Sequence, residues 1–414
     1  MTRMPDPVPT VQPRLAYLVS SYPAISHTFI LREIQRLRAL GHDISTASIN
    51  RPDRPEAQRD AAEQAEAQAT YCVKADGAQG AVTALTYWAK RDPGALARTL
   101  WWGLCLSASQ RSIMGFIYAV EATMVGHWMA QKDLSFLHVH FGNAGATVGM
   151  LVKRLTGCHL SYTIHGPDEF DDIPGQYLRT KVEQADDIIC ISGFVRGQLM
   201  RISEPEQWPK LQVCRLGVDP GLFTYGLREA HPGPTRLLCV GRLTPAKCQV
   251  LLVQACARLR DLGEDFHLTM VGTGPDLGRV EQAVHSLELQ GRITLTGALT
   301  QAQVREQLAA ADVFVLPSLA EGIPVVLMEA MSSGVPCVTT PVNGIPELIQ
   351  HGRTGLLAVP GDLDSLVEQL REIIGDRALQ HRLAIAAREK IETDFDLDKN
   401  VRKLGKIFER FAQE

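Results

Sequence analysis

Two glutamates eight positions apart, Glu321 and Glu329 in EGIPVVLMEAMSSG, are the first residues of this chain whose type and spacing point to chemistry. Eight helical residues turn through about 800°, leaving two side chains roughly 80° apart, so the pair does not share one helix face. The preceding run ADVFVLPSLA reads as a buried strand ending in a loop. Pro324 is placed to start a helix and Gly334 to end it. The spacing therefore predicts Glu321 in the loop and Glu329 in the second helical turn, with the N–H groups of residues 322–326 exposed between them. Two carboxylates suit hydroxyl-rich ligands, and a helix N-terminus suits phosphate. Glutamate pairs are common on surfaces, and this one gains meaning from a second run upstream. In LLCVGRLTPAKCQVLLVQA a short apolar strand is followed by Gly241, Arg242 and then Lys247, which is expected to open an amphipathic helix. Cations at the carboxyl end of a strand stand where open α/β sheets bind ligands. Arginine forks onto two phosphate oxygens and lysine adds a compact charge.

The elements that must hold these residues repeat as strand and helix. LAYLVS at 15–20 reads as a strand, a helix follows from Thr28 to Leu40, Gly41 ends it, and DISTASI follows as a second strand. Residues 52–70, rich in Asp, Glu, Gln and Ala, suggest an exposed helix. FLHVHF, LSYTIH, DIICIS and LQVCRLG recur as buried strands, and after residue 225 the cycle restarts with RLLCVG, HLTMVG, ITLTG, VFVLP, PCVTT and GLLAV. Two βα series predict an α/β protein of two Rossmann-like βαβ domains with right-handed crossovers. The expected boundaries are a disordered leader at 1–13, a first domain at 14–226, a second at 235–393, and a terminal amphipathic helix at 394–414. The Pro- and Gly-containing stretch 227–235 is the expected linker.

Composition narrows the function. The chain has 414 residues, enough for about two domains with their own cores. A formal charge of −4 argues against a nucleic-acid binder. Nine cysteines without a C-x-x-C fit reduced thiols and a cytoplasmic location. Several motifs carry less than they promise. GTGPDLG at 272–278 lacks dinucleotide-binding spacing and reads as a tight turn, with Gly274 a weak ligand candidate. DFDLD at 394–398 lacks the glycine and glutamate of a calcium loop and reads as a helix cap. His138 and His140 alternate on one strand without a third ligand at a recognisable spacing, so no metal is expected.

Residues 82–131 hold Trp88, Trp101, Trp102 and Trp128, four of the five tryptophans. Glu121 and His127 break the longest apolar run, which argues against a span of about twenty apolar residues. A helical insertion packed on the first domain is one reading. The other is an interfacial helix pair that approaches a membrane or a lipid-linked acceptor.

GRLTPAK at 241–247, EGIPVVLME at 321–329 and GIPELIQHGRTGLLAVPGD at 344–362 resemble the retaining glycosyltransferases of family four (group 1). The resemblance covers most of 235–390. SYPAISHTFILREI, HVHFGNAGA and TIHGPDEF extend it more loosely through the first half, toward bacterial exopolysaccharide and colanic-acid type enzymes. It implies a GT-B fold, with the two domains facing a central cleft and the last helix crossing back to the first domain. It also implies a hexosyltransferase moving sugar from a UDP- or GDP-sugar to a hydroxyl acceptor, such as a lipid-linked glycan, at the inner face of the plasma membrane or free in the cytoplasm. No metal or other cofactor is implied, and oligomeric state is left open. Arg242 and Lys247 would stabilise the leaving diphosphate, with the amides of Gly322, Ile323, Pro324 and Val325 as expected donor contacts. Glu321 would hold sugar hydroxyls, Glu329 the ribose, and the loop bearing Gly297 and Leu299 the base. His165 matches the position that contacts the donor sugar near its reacting carbon. Ser26, Thr28, Asn143 and Asp168 are expected on the cleft wall. One departure is Cys248, where the family has Gly. Alternatives are another GT-B enzyme, such as a nucleotide-sugar epimerase or a phosphorylase, or a non-catalytic partner subunit.

Overall fold

The computed structural model describes residues 14–24, 28–56, 59–227, 229 and 231–411. The expected leader and Ser26 lie outside the described residues. The chain divides into two compact units. The first takes residues up to Ile191, Val195–Cys214 and those from Val401 on; the second takes Ser192–Phe194 and Arg215–Asn400.

The first unit is built on seven parallel strands: β1 (Leu15–Ser21), β2 (Ile44–Asn50), β3 (Tyr71–Cys72), β4 (Phe136–His140), β5 (His159–Ile164), β6 (Asp187–Cys190) and β7 (Leu211–Val213). Their order is β3-β2-β1-β4-β5-β6-β7. The second unit carries β8 (Thr235–Val240), β9 (Phe266–Val271), β10 (Ile293–Gly297), β11 (Val313–Leu316), β12 (Cys337–Thr339) and β13 (Leu356–Leu357), in the order β10-β9-β8-β11-β12-β13. Strands covered by helices on both faces read as continuous apolar runs, and β11, VFVL, is buried at every position. In each sheet the chain winds outward one way and then the other. The reversal lies between β1 and β4 in the first unit and between β8 and β11 in the second, the places where open sheets leave a crevice at the carboxyl ends of their strands.

Within the first unit, residues from Val401 of the terminal helix Leu397–Phe411 bury Val401, Leu404, Ile407 and Phe408. The Phe408 ring lies against Tyr17, Phe136 and His138. Asp396 caps this helix by accepting from the Lys399 N–H at 2.9 Å, the role read for DFDLD. The Trp-rich region forms three helices, Val73–Arg91, Pro93–Gln110 and Met114–Gln131. Trp88 and Trp128 are buried, and Trp102 lies 3.5 Å under the Arg154 guanidinium. Added Cβ atoms at Gly103 and Gly115 would strike the facing helix, so the last two helices cross closely there.

Two sequence expectations change, and one short strand was not expected. The helix read over 52–70 is confined to Ala61–Ala69, because Asp60 and Glu63 form a capping box that fixes its start. Strand β3 has two residues, too few to show a period. Lys247 does not open a helix: it ends a 3₁₀ turn, Pro245–Lys247, and the helix Gln249–Asp261 begins after Cys248. Cys248 has φ +53°, a left-handed conformation that glycine adopts without steric cost. Conformation, beyond side-chain size, therefore explains why glycine suits this position.

Candidate functional site

The loops after β8 and β11 flank the reversal in the second sheet and are stitched together. The Leu319 N–H donates to the Ala246 carbonyl at 2.7 Å, and the Lys247 ammonium bonds the Glu321 carboxylate. Glu321 also accepts from the Ser318 hydroxyl at 2.6 Å, and its N–H donates to the Asn343 side chain at 3.2 Å. Glu321 is buried, whereas the Lys247 side chain retains 21% of its exposure. Arg242 is exposed, and its carbonyl accepts from the Gln249 amide at 3.0 Å. Fixing both loops in advance lowers the reorganisation needed to meet a charged ligand.

The loops after neighbouring strands close around this pair. A Cβ on Gly274 would collide with the Leu243 carbonyl, and one on Gly344 with the Gly322 carbonyl. These glycines permit backbone to lie on backbone. Gly272 donates to the Gly297 carbonyl at 2.8 Å and lies against the Gly241 carbonyl, linking the end of β10 to the Gly-Arg loop. Gly297 has φ +72°, and Leu299 is half-buried. Pro324 caps the helix Val325–Ser332, placing half-buried Glu329 in its second turn. The expected run of exposed amides is narrower than the sequence suggested. Ile323 is buried and Pro324 has no N–H, leaving Gly322, Val325 and Val326 as the half-buried candidates. The first amides of a helix have no intrahelical acceptor.

The first unit gathers a different set at its own reversal. The Ser20 hydroxyl donates to Asn143 at 2.7 Å, and Asn143 caps the helix Ala144–Thr156. Asn143 thus has a structural task whatever it binds. Thr28 is half-buried at the start of the helix Thr28–Ala39, and Asp168 is exposed on a 3₁₀ turn. The adjacent Glu169 is the buried carboxylate. It accepts the N–H of His165 at 2.6 Å and those of Gly142 and Gly166. Lys181, also buried, donates to the carbonyls of Gly142 and Asn143 at 2.7 and 2.8 Å. Burial pushes Glu169 up to about 7 and Lys181 down to about 7, against their mutual attraction. His165 is buried between Phe29 and Phe141, with Nε2 at 3.2 Å from His140 Nδ1.

Sequence reading missed Glu33, Glu169 and Lys181. Glu33 had a signal: it sits on the stripe Ile30, Glu33, Ile34, Leu37, all buried. Its carboxylate joins His138 and His140, supplying the third potential metal ligand that sequence spacing did not reveal. The same donor atoms are hydrogen-bonded in this structure. His138 bonds Ser161 at 2.6 Å and Thr163 at 2.9 Å, while His140 bonds His165 and Glu33. This makes the cluster a hydrogen-bond network.

Residues 228–390 match the family model described as glycosyl transferases group 1. The amylovoran biosynthesis glycosyltransferase AmsK of Erwinia amylovora is 34% identical over 291 residues, which cover 66% of this chain and 70% of that protein. The putative colanic acid biosynthesis glycosyltransferase WcaL of Salmonella typhimurium is 27% identical over 411 residues, 96% of this chain and 99% of that protein. Among solved structures, Anabaena Alr3699/HepE in complex with UDP and glucose superposes with a TM-score of 0.72 at 16% identity, over 96% of this chain and 100% of that one. With two doubly wound parallel sheets, the fold is that of the GT-B glycosyltransferases.

Proposed function

The chain belongs to the group 1 glycosyltransferases, and from that premise we propose a retaining hexosyltransferase that takes a nucleotide diphosphate sugar and glycosylates a hydroxyl acceptor. The observation that carries this reading is the Lys247–Glu321 pair at the reversal between β8 and β11. Breaking the bond between the sugar's anomeric carbon and a diphosphate oxygen leaves negative charge on that oxygen. Lys247 and Arg242 supply fixed positive charge for it, with the Gly322 and Val325 amides beside them. Glu321, held by Ser318 and Asn343, is positioned to accept sugar hydroxyls. Glu329 is assigned to the ribose and the loop at Gly297 and Leu299 to the base. Positive side chains meet the charge requirement, so the proposed reaction uses no metal.

Acceptor and location follow from surface chemistry and from the relatives' names. AmsK and WcaL are named for extracellular polysaccharides, and the proposed acceptor is a lipid-linked glycan of such a pathway, met on the cytoplasmic side. Among the described residues no helix is long and apolar enough to cross a membrane. The helical hairpin of the first unit nevertheless exposes Trp101 (66%), Leu104, Ile113 (69%), Met114 and Phe116. Between Pro93 and Val120 it carries Arg98 and Arg111 and no acidic residue. Apolar side chains beside positive charge suit an anionic lipid surface. Wild type is expected to sediment with anionic liposomes at low salt and to be partly released as salt rises. Trp101→Ser with Trp102→Ser should abolish sedimentation and leave donor hydrolysis intact. A wild type that stays in the supernatant makes the hairpin a packed insertion only.

A panel of nucleoside diphosphates tests the donor site by thermal shift, since a ligand of the native state raises stability by mass action. UDP is the first candidate because the structurally similar Anabaena protein binds it, with GDP as the alternative. Slow release of free nucleoside diphosphate from the matching donor sugar, persisting in EDTA, supports a metal-independent transferase. An epimerase leaves the diphosphate on the sugar or eliminates it reversibly, and a non-catalytic subunit releases nothing.

A further inference from the structure

Strand β2 runs directly into Arg51, and the loop 51–55 curves with Arg59 and Cys72 around a recess of about 560 Å³. A volume of this size suits a small molecule, and the carboxyl ends of strands are where open parallel sheets bind one. Pro52 and Pro55 stiffen the loop. Arg54 anchors it: its guanidinium bonds the Glu63 carboxylate, its Nε lies 3.7 Å from Asp53, and its carbonyl accepts from Arg59 Nε at 3.2 Å. Glu63 is fixed in turn by its capping box with Asp60.

The Asp53 and Glu63 carboxylates are thus turned to Arg54, and the remaining charge on the recess is positive. Among the described residues the exposed Arg51 guanidinium has no side-chain partner, and Arg59 keeps its two terminal nitrogens after Nε meets the carbonyl. Lys74 adds a cation at the same strand end, its ammonium 2.7 Å from Asn50 Oδ1. Guanidinium forks lining one recess fit the oxygens of a phosphate or diphosphate. The donor's diphosphate has its own cations in the second unit, Arg242 and Lys247.

A second recess, of about 470 Å³, adjoins the first at Ala75, which lines both. Tyr71, Asp76, Gln79, Trp128 and Gln131 are among its walls, with Tyr71 stacked on Trp128 at 5.7 Å. Aromatic rings beside a carboxylate and two amides suit the apolar face and the hydroxyls of a sugar. The helix that supplies Trp128, Met114–Gln131, begins in the apolar hairpin. Apolar, anionic and polyhydroxyl chemistry therefore meet in one helical region, as they do in a lipid joined to a glycan through a diphosphate.

We propose that the recess at Arg51 and Arg59 binds the diphosphate of a lipid-linked acceptor, with the adjoining recess taking a sugar unit. This rests on the reading of the chain as a transferase with such an acceptor. The site holds the acceptor, and no bond is made or broken there.

The test titrates the full-length protein with inorganic diphosphate by calorimetry, with UDP in excess to occupy the second unit. Wild type should bind, less tightly as salt rises. Arg51→Ser and Arg59→Ser should each weaken binding about tenfold, as loss of a hydrogen bond to a charged group does. Arg51→Lys, which keeps the charge without the fork, should lose less, and Arg51→Glu should lose more. The UDP-induced thermal shift should be unchanged in all four, which also shows that they fold. Farnesyl diphosphate should displace inorganic diphosphate, and phosphatidylglycerol vesicles should not. Equal affinity in wild type, Arg51→Ser and Arg51→Glu overturns the proposal. Displacement by the vesicles as well makes the recess a bilayer headgroup contact and overturns its assignment to the acceptor. Arginine-dependent binding of diphosphate without any UDP shift upholds the anion site and counts against the donor reading instead.

Discussion

The two sheet reversals of this molecule solve the same geometric problem with opposite uses of charge. In the first unit the ionisable groups are buried and turned inward. Lys181 holds the carbonyls of Gly142 and Asn143, Glu169 gathers three amides, and Glu33 engages Tyr17 and His140. In the second unit Lys247 keeps part of its surface, Arg242 is exposed, and the Lys247–Glu321 pair lies at the reversal itself. Buried charges shape loops, while accessible cations can receive a diphosphate. On the proposed reading, the leaving group is met by the accessible cations of the second unit.

The largest expected effect comes from removing that accessible charge. Lys247→Ala should lower turnover by about two to three powers of ten, as loss of a preorganised electrostatic donor does. Donor binding should weaken less, because Arg242 remains. Turnover within threefold of wild type would break the contrast and sink the assignment of Lys247 to leaving-group charge.

The same contrast explains what the sequence discloses. GRLTPAK and EGIPVVLME each place their chemistry within one local run, so strand, loop and helix could be read beside the residues they carry. The buried network of the first unit has no such run. Glu33 and His140 are 107 positions apart, and His140 and His165 are 25 apart. Parallel strand order, not sequence proximity, brings them together. Cys248 shows a subtler gap: the residue was visible as a departure, but the left-handed backbone that makes glycine suitable there was not. Asp168 and Glu169 look alike in the sequence, and only the fold separates them, leaving Asp168 exposed and Glu169 buried.

A smaller effect tests how the second unit fixes its loops. A Cβ at Gly274 meets the Leu243 carbonyl. Gly274→Ala should therefore displace the Gly-Arg loop and cost about 1–3 kcal/mol, the range for forced overpacking. A lower urea midpoint by circular dichroism and a smaller UDP-induced thermal shift are expected together. Weakened UDP binding at unchanged stability would make Gly274 a ligand contact rather than a packing device.

The smallest effect lies in the first unit and in its acid tolerance. His138 is fully buried, with Ser161 and Thr163 on its two ring nitrogens. Burial, followed by His140 and His165, holds its pKa well below the ordinary value. In the unfolded chain the same ring protonates near 6.5. Below that pH the unfolded state binds the extra proton, so stability is fully present above about 6.5 and is lost as pH falls toward the folded-state value. One such group contributes a slope of up to about 1.4 kcal/mol per pH unit. All five tryptophans, Trp88, Trp101, Trp102, Trp128 and Trp208, belong to the first unit, so their fluorescence follows its unfolding. Between pH 6.5 and 5.5 wild type should lose about 1 kcal/mol more than His138→Gln, which keeps a donor and an acceptor but cannot titrate. The variant's lower stability at neutral pH does not enter, because the comparison is of slopes. Equal slopes would mean that Ser161 and Thr163 turn their lone pairs toward an imidazolium at His138.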